Sequence, residues 1–231
     1  MPTSLALPAR IALAALVALT AVPDAIAGPN AVRVRLTVPL PARLDMQGIE
    51  RLLVTRFVVD QDLPDLDLSR ELVTLLRRDL SKKTTLQVID TEPPPLPEQP
   101  LQDLFANTGF WRRMAETHRA DLIIAGKASF ITSDRSGFVQ RDEISRVNGQ
   151  RVRRTVFVDR EGFSLGMNLF FVSGSTGRLL YEDHFAGEST FIGRANDRLT
   201  VLFSLFEQFE DSILAIVSPR PKVVERFLFT E

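Results

Sequence analysis

The chain has 231 residues, 28 Lys and Arg against 29 Asp and Glu, two His, no Cys and 45% hydrophobic residues. A formal net charge of -1 lacks the cationic excess that nucleic-acid backbones demand. The missing Cys excludes disulfides, thiol catalysis, iron–sulfur clusters and Cys-based zinc sites.

Residues 1–27, MPTSLALPARIALAALVALTAVPDAIA, read as an export signal. Arg10 precedes an apolar run from Ile11 to Val22, short of the roughly 20 residues that a membrane-spanning helix needs. Pro23 and Asp24 break the run, and Ala25 and Ala27 supply the small side chains of a signal-peptidase site, so cleavage is expected after Ala27. An uncleaved membrane anchor is the alternative. No Cys follows the run to take a lipid. The expected product is a soluble, periplasmic α/β domain, residues 28–231, with no membrane span.

Val32 to Val38 alternates Val and Leu with Arg and Thr, which predicts a strand, an edge one because Pro39 and Pro41 follow. Arg51 to Asp60 is nearly continuous in apolar residues, as in a strand covered on both faces. Asp67 and Ser69 are N-cap candidates for a helix to Leu80 with Leu68, Leu72, Leu76 and Leu80 in a row. Thr85 to Asp90 is the next strand, and the resulting β-α-β unit joins parallel strands. Residues 92–100 hold five Pro in nine, which predicts a stiff extended loop. Phe110, Trp111, Met114, Ala115 and His118 follow at helical spacing, and Asp121 to Ile131 is a buried strand that turns polar toward its end.

A polar stretch over 132–161 is centred on Asn148-Gly149, a two-residue hairpin signal. Gly162 to Val172 puts Phe163, Leu165, Met167, Leu169 and Phe171 on one face, and the turn at 173–177 leads into a returning strand over 178–185. The longest helix spans about 194–217 with Leu199, Leu202, Phe203, Phe206, Phe209, Ile213 and Ile216 as its apolar stripe. Pro219 and Pro221 end it, and Val223 to Phe229 closes the chain as a strand. The pattern is α/β: one three-layer domain with a mixed sheet, a β-α-β start, long hairpins and a C-terminal helix plus strand.

Motifs for chemistry are sparse. The only Gly-Lys, Gly126-Lys127, is followed by Ala128 and has Asp121 where a phosphate loop needs Gly, and no Gly-x-Gly-x-x-Gly occurs. His118 shares a helical face with Trp111 and Ala115, as a packing residue does. His184 shares a strand face with Glu182, and the two complete a Ser-His-acid relay only if a Ser approaches from elsewhere, with no Gly-x-Ser-x-Gly elbow read to place one. Asp142 and Glu143 are strand neighbours and point to opposite faces. No catalytic residue, cofactor or metal ligand is assigned.

The hairpin is the feature left over. Its arms carry Arg141, Arg146, Arg151, Arg153, Arg154 and Arg160 among Asp142, Glu143, Asp159 and Glu161. One reading is a solvated hairpin with weak cross-strand charge pairs. The other is a projecting arm that docks a partner through Arg146, Arg151, Arg153 and Arg154. A lipid-facing hairpin is disfavoured, because Arg154 sits inside the face that Val152, Val156 and Val158 would form.

Four stretches carry a family resemblance: IERLLVTRF (49–57), LSRELVTLLRRDLSKKTTLQVID (68–90), HRADLIIAGKASF (118–130) and LGMNLFFVSGSTGRLLYEDHF (165–185). Together they resemble the superfamily that includes the curli-secretion lipoprotein CsgG, the penicillin-binding-protein activator LpoB and the N-terminal domain of TolB. The resemblance implies an envelope α/β domain that works by contact rather than by catalysis, and it transfers no catalytic residues. Both lipoproteins carry an acylated Cys, which this chain lacks. The expected role is therefore a soluble, non-enzymatic adaptor or regulator that binds an envelope protein and is able to self-associate. The alternative is a subunit of an outer-membrane secretion or assembly complex.

Overall fold

A computed structural model describes residues 31–144, 149–193 and 197–229. The expected signal over 1–27 lies outside the described residues. Among these, internal contacts define two compact units, residues 31–41 with 219–229, and Ala42–Ser218.

The smaller unit is an antiparallel ribbon of β1 (Ala31–Leu40) and β10 (Arg220–Phe229), paired from Ala31↔Phe229 to Leu40↔Arg220. Pro39 faces Pro221. Both prolines lack an N–H, so they are tolerated where a strand has a free edge. Glu225 takes hydrogen bonds from Arg35 and Arg33, which hold its carboxyl below the ordinary range.

The larger unit is a mixed sheet in the order β4 (Gln87–Val88), β2 (Arg51–Val54), β5 (Leu122–Asp134), β8 (Arg160–Ser173) and β9 (Leu179–Ile192), with β3 (Val58–Val59) attached to β5. Strand β2 (Arg51–Val54) leads through β3 (Val58–Val59) to helix α1 (Leu68–Lys83), and β4 (Gln87–Val88) returns parallel to β2. Asp67 caps α1, accepting from the Arg70 N–H at 3.0 Å. Leu68, Leu72, Leu76 and Leu80 all face the core, as their spacing predicts.

The strand expected over 51–60 is broken, and this is a correction. Thr55 N–H still reaches Ile124 O at 2.9 Å, but Arg56 N–H turns to Pro94 O at 3.0 Å and Phe57 N–H to Ser69 Oγ at 2.9 Å. Pairing with β5 (Leu122–Asp134) shifts from Val54↔Ile124 to Val58↔Lys127, which leaves one extra residue on the β2–β3 side, a bulge. The ring of Phe57 occupies the space over Gly126, where a Cβ would stand 2.1 Å from its Cε1.

Helix α2 (Leu101–Ala106) was not legible, because six residues hold too few turns to show a period. Helix α3 (Thr108–His118) follows, capped by Asn107 and ended by Arg119 in a left-handed conformation. Strands β8 (Arg160–Ser173) and β9 (Leu179–Ile192) complete the sheet, and α4 (Arg198–Val217) packs against these two strands.

The sheet separates two apolar layers. On one face Phe163, Leu165, Met167, Leu169 and Phe171 of β8 meet Leu72 and Leu76 of α1 and Leu202, Phe206 and Ile213 of α4. On the other, Leu53, Ile123, Ala125, Phe170 and Val172 meet Leu104, Trp111 and Met114. This helix–sheet–helix arrangement is the expected α/β architecture, and it follows from the period of two along β8 and near 3.6 along the helices.

Asp197 caps α4, accepting from the Thr200 hydroxyl at 2.6 Å, the Thr200 N–H at 3.1 Å and the Leu199 N–H at 3.3 Å. The hydroxyl bond is the largest of the effects that hold this carboxyl below its ordinary pKa. A depressed folded-state pKa contributes stability above the unfolded-chain value, near pH 4, and loses it as the pH falls through the lowered value. Asp197→Asn is therefore expected to flatten the acid limb of a plot of melting temperature against pH, only below about pH 4. An acid limb identical to wild type would show that the cap carries none of it.

Candidate functional site

The Arg-bearing hairpin consists of β6 (Gly137–Ile144) and β7 (Arg151–Val158). It continues the β5–β8 ladder without a change of register: Leu122↔Ser173, Asp134↔Glu161, Gly137↔Val158 and Ile144↔Arg151 are successive pairs of one antiparallel ribbon. The ribbon pauses at Arg135 and Ser136, where the Arg135 N–H reaches Arg160 O at 2.9 Å and the Arg160 N–H reaches Ser136 Oγ at 3.0 Å. Strand β9 pairs with β8 as far as Ile192↔Arg160. Beyond that point β6 and β7 pair only with each other among the described residues, and eight paired positions extend roughly 27 Å.

This register corrects the expected turn. A two-residue turn at Asn148-Gly149 sets Ile144 against Arg153, whereas Ile144 pairs with Arg151. Asn148 itself lies outside the described residues. So does Arg146, the first of the four candidate contacts. Arg151, Arg153 and Arg154 lie on β7 and are exposed.

Facing pairs divide the arm into two surfaces. One carries Phe138 with Phe157, Gln140 with Thr155, Asp142 with Arg153, and Ile144 with Arg151. The other carries Val139 with Val156, Arg141 with Arg154, and Glu143 with Val152. Arg153 Nε stands 3.2 Å from Asp142 Oδ1 and Arg154 Nη1 stands 3.5 Å from Glu143 Oε2, and all four side chains are more than half exposed. Such pairs contribute little. Arg141 directly opposite Arg154 is a like-charge pair that opposes the hairpin. Neither surface has an uninterrupted apolar band.

The sequence reading missed the aromatic component. Phe138 and Phe157 meet edge to face with centroids 5.2 Å apart, yet they stay 75% and 52% exposed, and Ile144 is 65% exposed. The signal was present as two Phe in a polar stretch, but only the register shows that they share a pair.

The other candidates stay apart. His118 is half-buried at the end of α3. His184 is exposed, and its Nδ1 faces Asn168 Oδ1 across the β8–β9 ladder. The sequence is read as holding no Gly-x-Ser-x-Gly elbow, and this is a correction: Gly162-Phe163-Ser164-Leu165-Gly166 has that spacing. It lies inside regular β8 instead of at a sharp strand-to-helix turn. Ser164 pairs with Glu188, four positions from the Asn168↔His184 pair, or roughly 13 Å along the ladder. That distance prevents proton transfer between Ser164 and His184.

No protein-family model matches the sequence, and no curated protein does. Solved structures similar to the chain include the PelC dodecamer from Paraburkholderia phytofirmans, at 14% identity, 80% of this chain and 99% of that one, with a TM-score of 0.39. A lipoprotein from Neisseria meningitidis is similar at 10% identity, 71% and 97% coverage and a TM-score of 0.37. The LpoB C-terminal domain from Salmonella enterica is similar at 15% identity, 64% and 84% coverage and a TM-score of 0.30. Among the described residues, no helix is long and apolar enough to cross a membrane.

Proposed function

We propose that this chain is an exported, non-enzymatic protein of the bacterial envelope, periplasmic after signal cleavage, which acts as an adaptor or regulator by binding a protein partner through the β6–β7 arm. The observation that carries the reading is the arm itself, a strand pair that leaves the sheet and displays Phe138, Phe157 and Ile144 beside Arg151 and Arg153 on one surface, with Arg154 on the other. Exposed aromatic and Arg side chains in one patch are the residue types that anchor protein interfaces. An arm of this length also gains little from its own packing.

The test is photo-crosslinking in cells from a probe at Gln140, beside the aromatic pair. Adducts with a second protein are expected from the wild-type arm. They should disappear in the triple variant Arg151→Glu, Arg153→Glu, Arg154→Glu and in Phe138→Ser, with an unchanged circular dichroism spectrum. Identical adducts from both variants would remove the arm from the reading.

The same exposed apolar side chains also suit a subunit–subunit contact in an outer-membrane assembly. Light scattering of purified protein separates the two. A monomer or dimer fits the adaptor, and a large closed ring fits the assembly subunit.

A further inference from the structure

A cleft of about 720 Å³ opens on the α1 side of the sheet, independent of the arm. One wall is the outer face of α1, with Arg70, Thr74, Arg77 and Ser81 at successive turns. The other is the segment from Asp90 to Pro93 that follows β4, with Arg56 beside it and Val88 and Pro93 supplying apolar surface. The cleft therefore lies at the carboxyl ends of the parallel strands β2 and β4, the place where open α/β sheets take up ligands. Its volume is that of an ordinary small-molecule site.

The charges in the cleft are unevenly matched. Arg78 Nε is paired with Asp79 at 2.7 Å and Arg56 with Glu92 at 3.5 Å. Asp67 is used in capping α1, and Ser69 Oγ accepts from Phe57 N–H. Arg77 is different. Its side chain is 15% exposed, and its guanidinium donates to two neutral carbonyls, Thr91 O at 2.8 Å and Val54 O at 3.2 Å. The carboxylate nearest in charge, Asp90, stays 3.9 Å away and is itself fully exposed. Burial lowers the pKa of Arg77, and Asp90 offsets this only in part. Two turns earlier on the same face, the exposed Arg70 guanidinium has no hydrogen bond or ion pair among the described residues. A half-desolvated cation and a free one thus share one wall, short of counter-charge.

We infer that this cleft binds a small oxyanionic ligand, with a phosphate or carboxylate group held by Arg70 over the positive potential of Arg77. A guanidinium donates two parallel N–H groups that match either oxyanion. The apolar surface of Val88 and Pro93 would take the remainder of the ligand. Because the site is apart from the arm, it would let the chain bind a metabolite or headgroup in addition to a protein.

Calorimetric titration of the purified protein with pyrophosphate, and separately with citrate, tests this. Saturable one-site binding of at least one anion is expected, weakened about tenfold or more by Arg70→Gln and unchanged by Arg153→Gln on the arm. Pyrophosphate binding alone would assign a phosphorylated ligand, and citrate binding alone a carboxylate. No saturable heat with either anion into the millimolar range would overturn the proposal, as would binding that survives Arg70→Gln.

Discussion

Gly177→Ala is expected to destabilise the protein by about 3 kcal/mol or more, a large share of the 5–15 kcal/mol that holds an ordinary domain together. Two effects combine. Gly177 has φ +68°, a left-handed conformation that costs an L-residue about 1 kcal/mol. An added Cβ would also stand 2.2 Å from Thr108 O and 2.9 Å from Thr108 C, backbone atoms at the start of α3. Neither side can yield cheaply. The Gly177 N–H is bonded to Ser173 O at 2.8 Å and Gly174 N–H to Asp121 O at 2.8 Å, which pins the β8–β9 turn to the sheet. Gly149→Ala supplies the control, since it has the same φ of +68° but nothing within 4 Å of its Cβ. Its cost should be confined to the conformational part, about 1 kcal/mol. Urea denaturation of both variants decides: equal losses would mean that the Thr108 contact relaxes and carries none of the effect.

What the sequence disclosed depends on how far apart the causes lie. The inward face of β8 and the Leu row of α1 were legible because burial repeats at the local period, and Phe163 to Phe171 and Leu68 to Leu80 obey it residue by residue. The break between β2 and β3 was not legible. It arises where Phe57 seats over Gly126, a contact between segments that only the fold brings together, and a run of apolar residues reads alike with or without it. The same limit applies to function. Arg151, Arg153 and Arg154 announced themselves by charge, but the Phe138–Phe157 pair needs the register, and the register continues from β5 and β8 instead of being set at Asn148-Gly149. The α1 cleft was wholly hidden, because Arg56, one face of α1 and residues 90–93 meet only across the β-α-β crossover.

Trp111→Ala is expected to cost about 3–5 kcal/mol. The indole is completely buried, stacked on Phe105 with centroids 5.5 Å apart and met edge-on by Phe110 at 5.1 Å. It is the largest member of the smaller apolar layer, so its removal leaves a cavity that Leu53, Ile123 and Phe170, held by sheet backbone, can scarcely close. Its Nε1–H also donates to Leu104 O at 2.9 Å, tying α3 to the short helix α2. A six-residue helix has no stability of its own, so α2 is expected to loosen with the loss. Trp111→Phe separates the two parts, since it keeps most of the ring and gives up the hydrogen bond, for about 1–2 kcal/mol. Trp111 is the only Trp, so denaturation must be followed by circular dichroism. Limited proteolysis then reports on α2 directly. Cleavage within 92–107 should rise in both variants if the indole N–H holds α2 in place. If it rises only in Trp111→Ala, the packing of the ring holds α2 and the hydrogen bond does not.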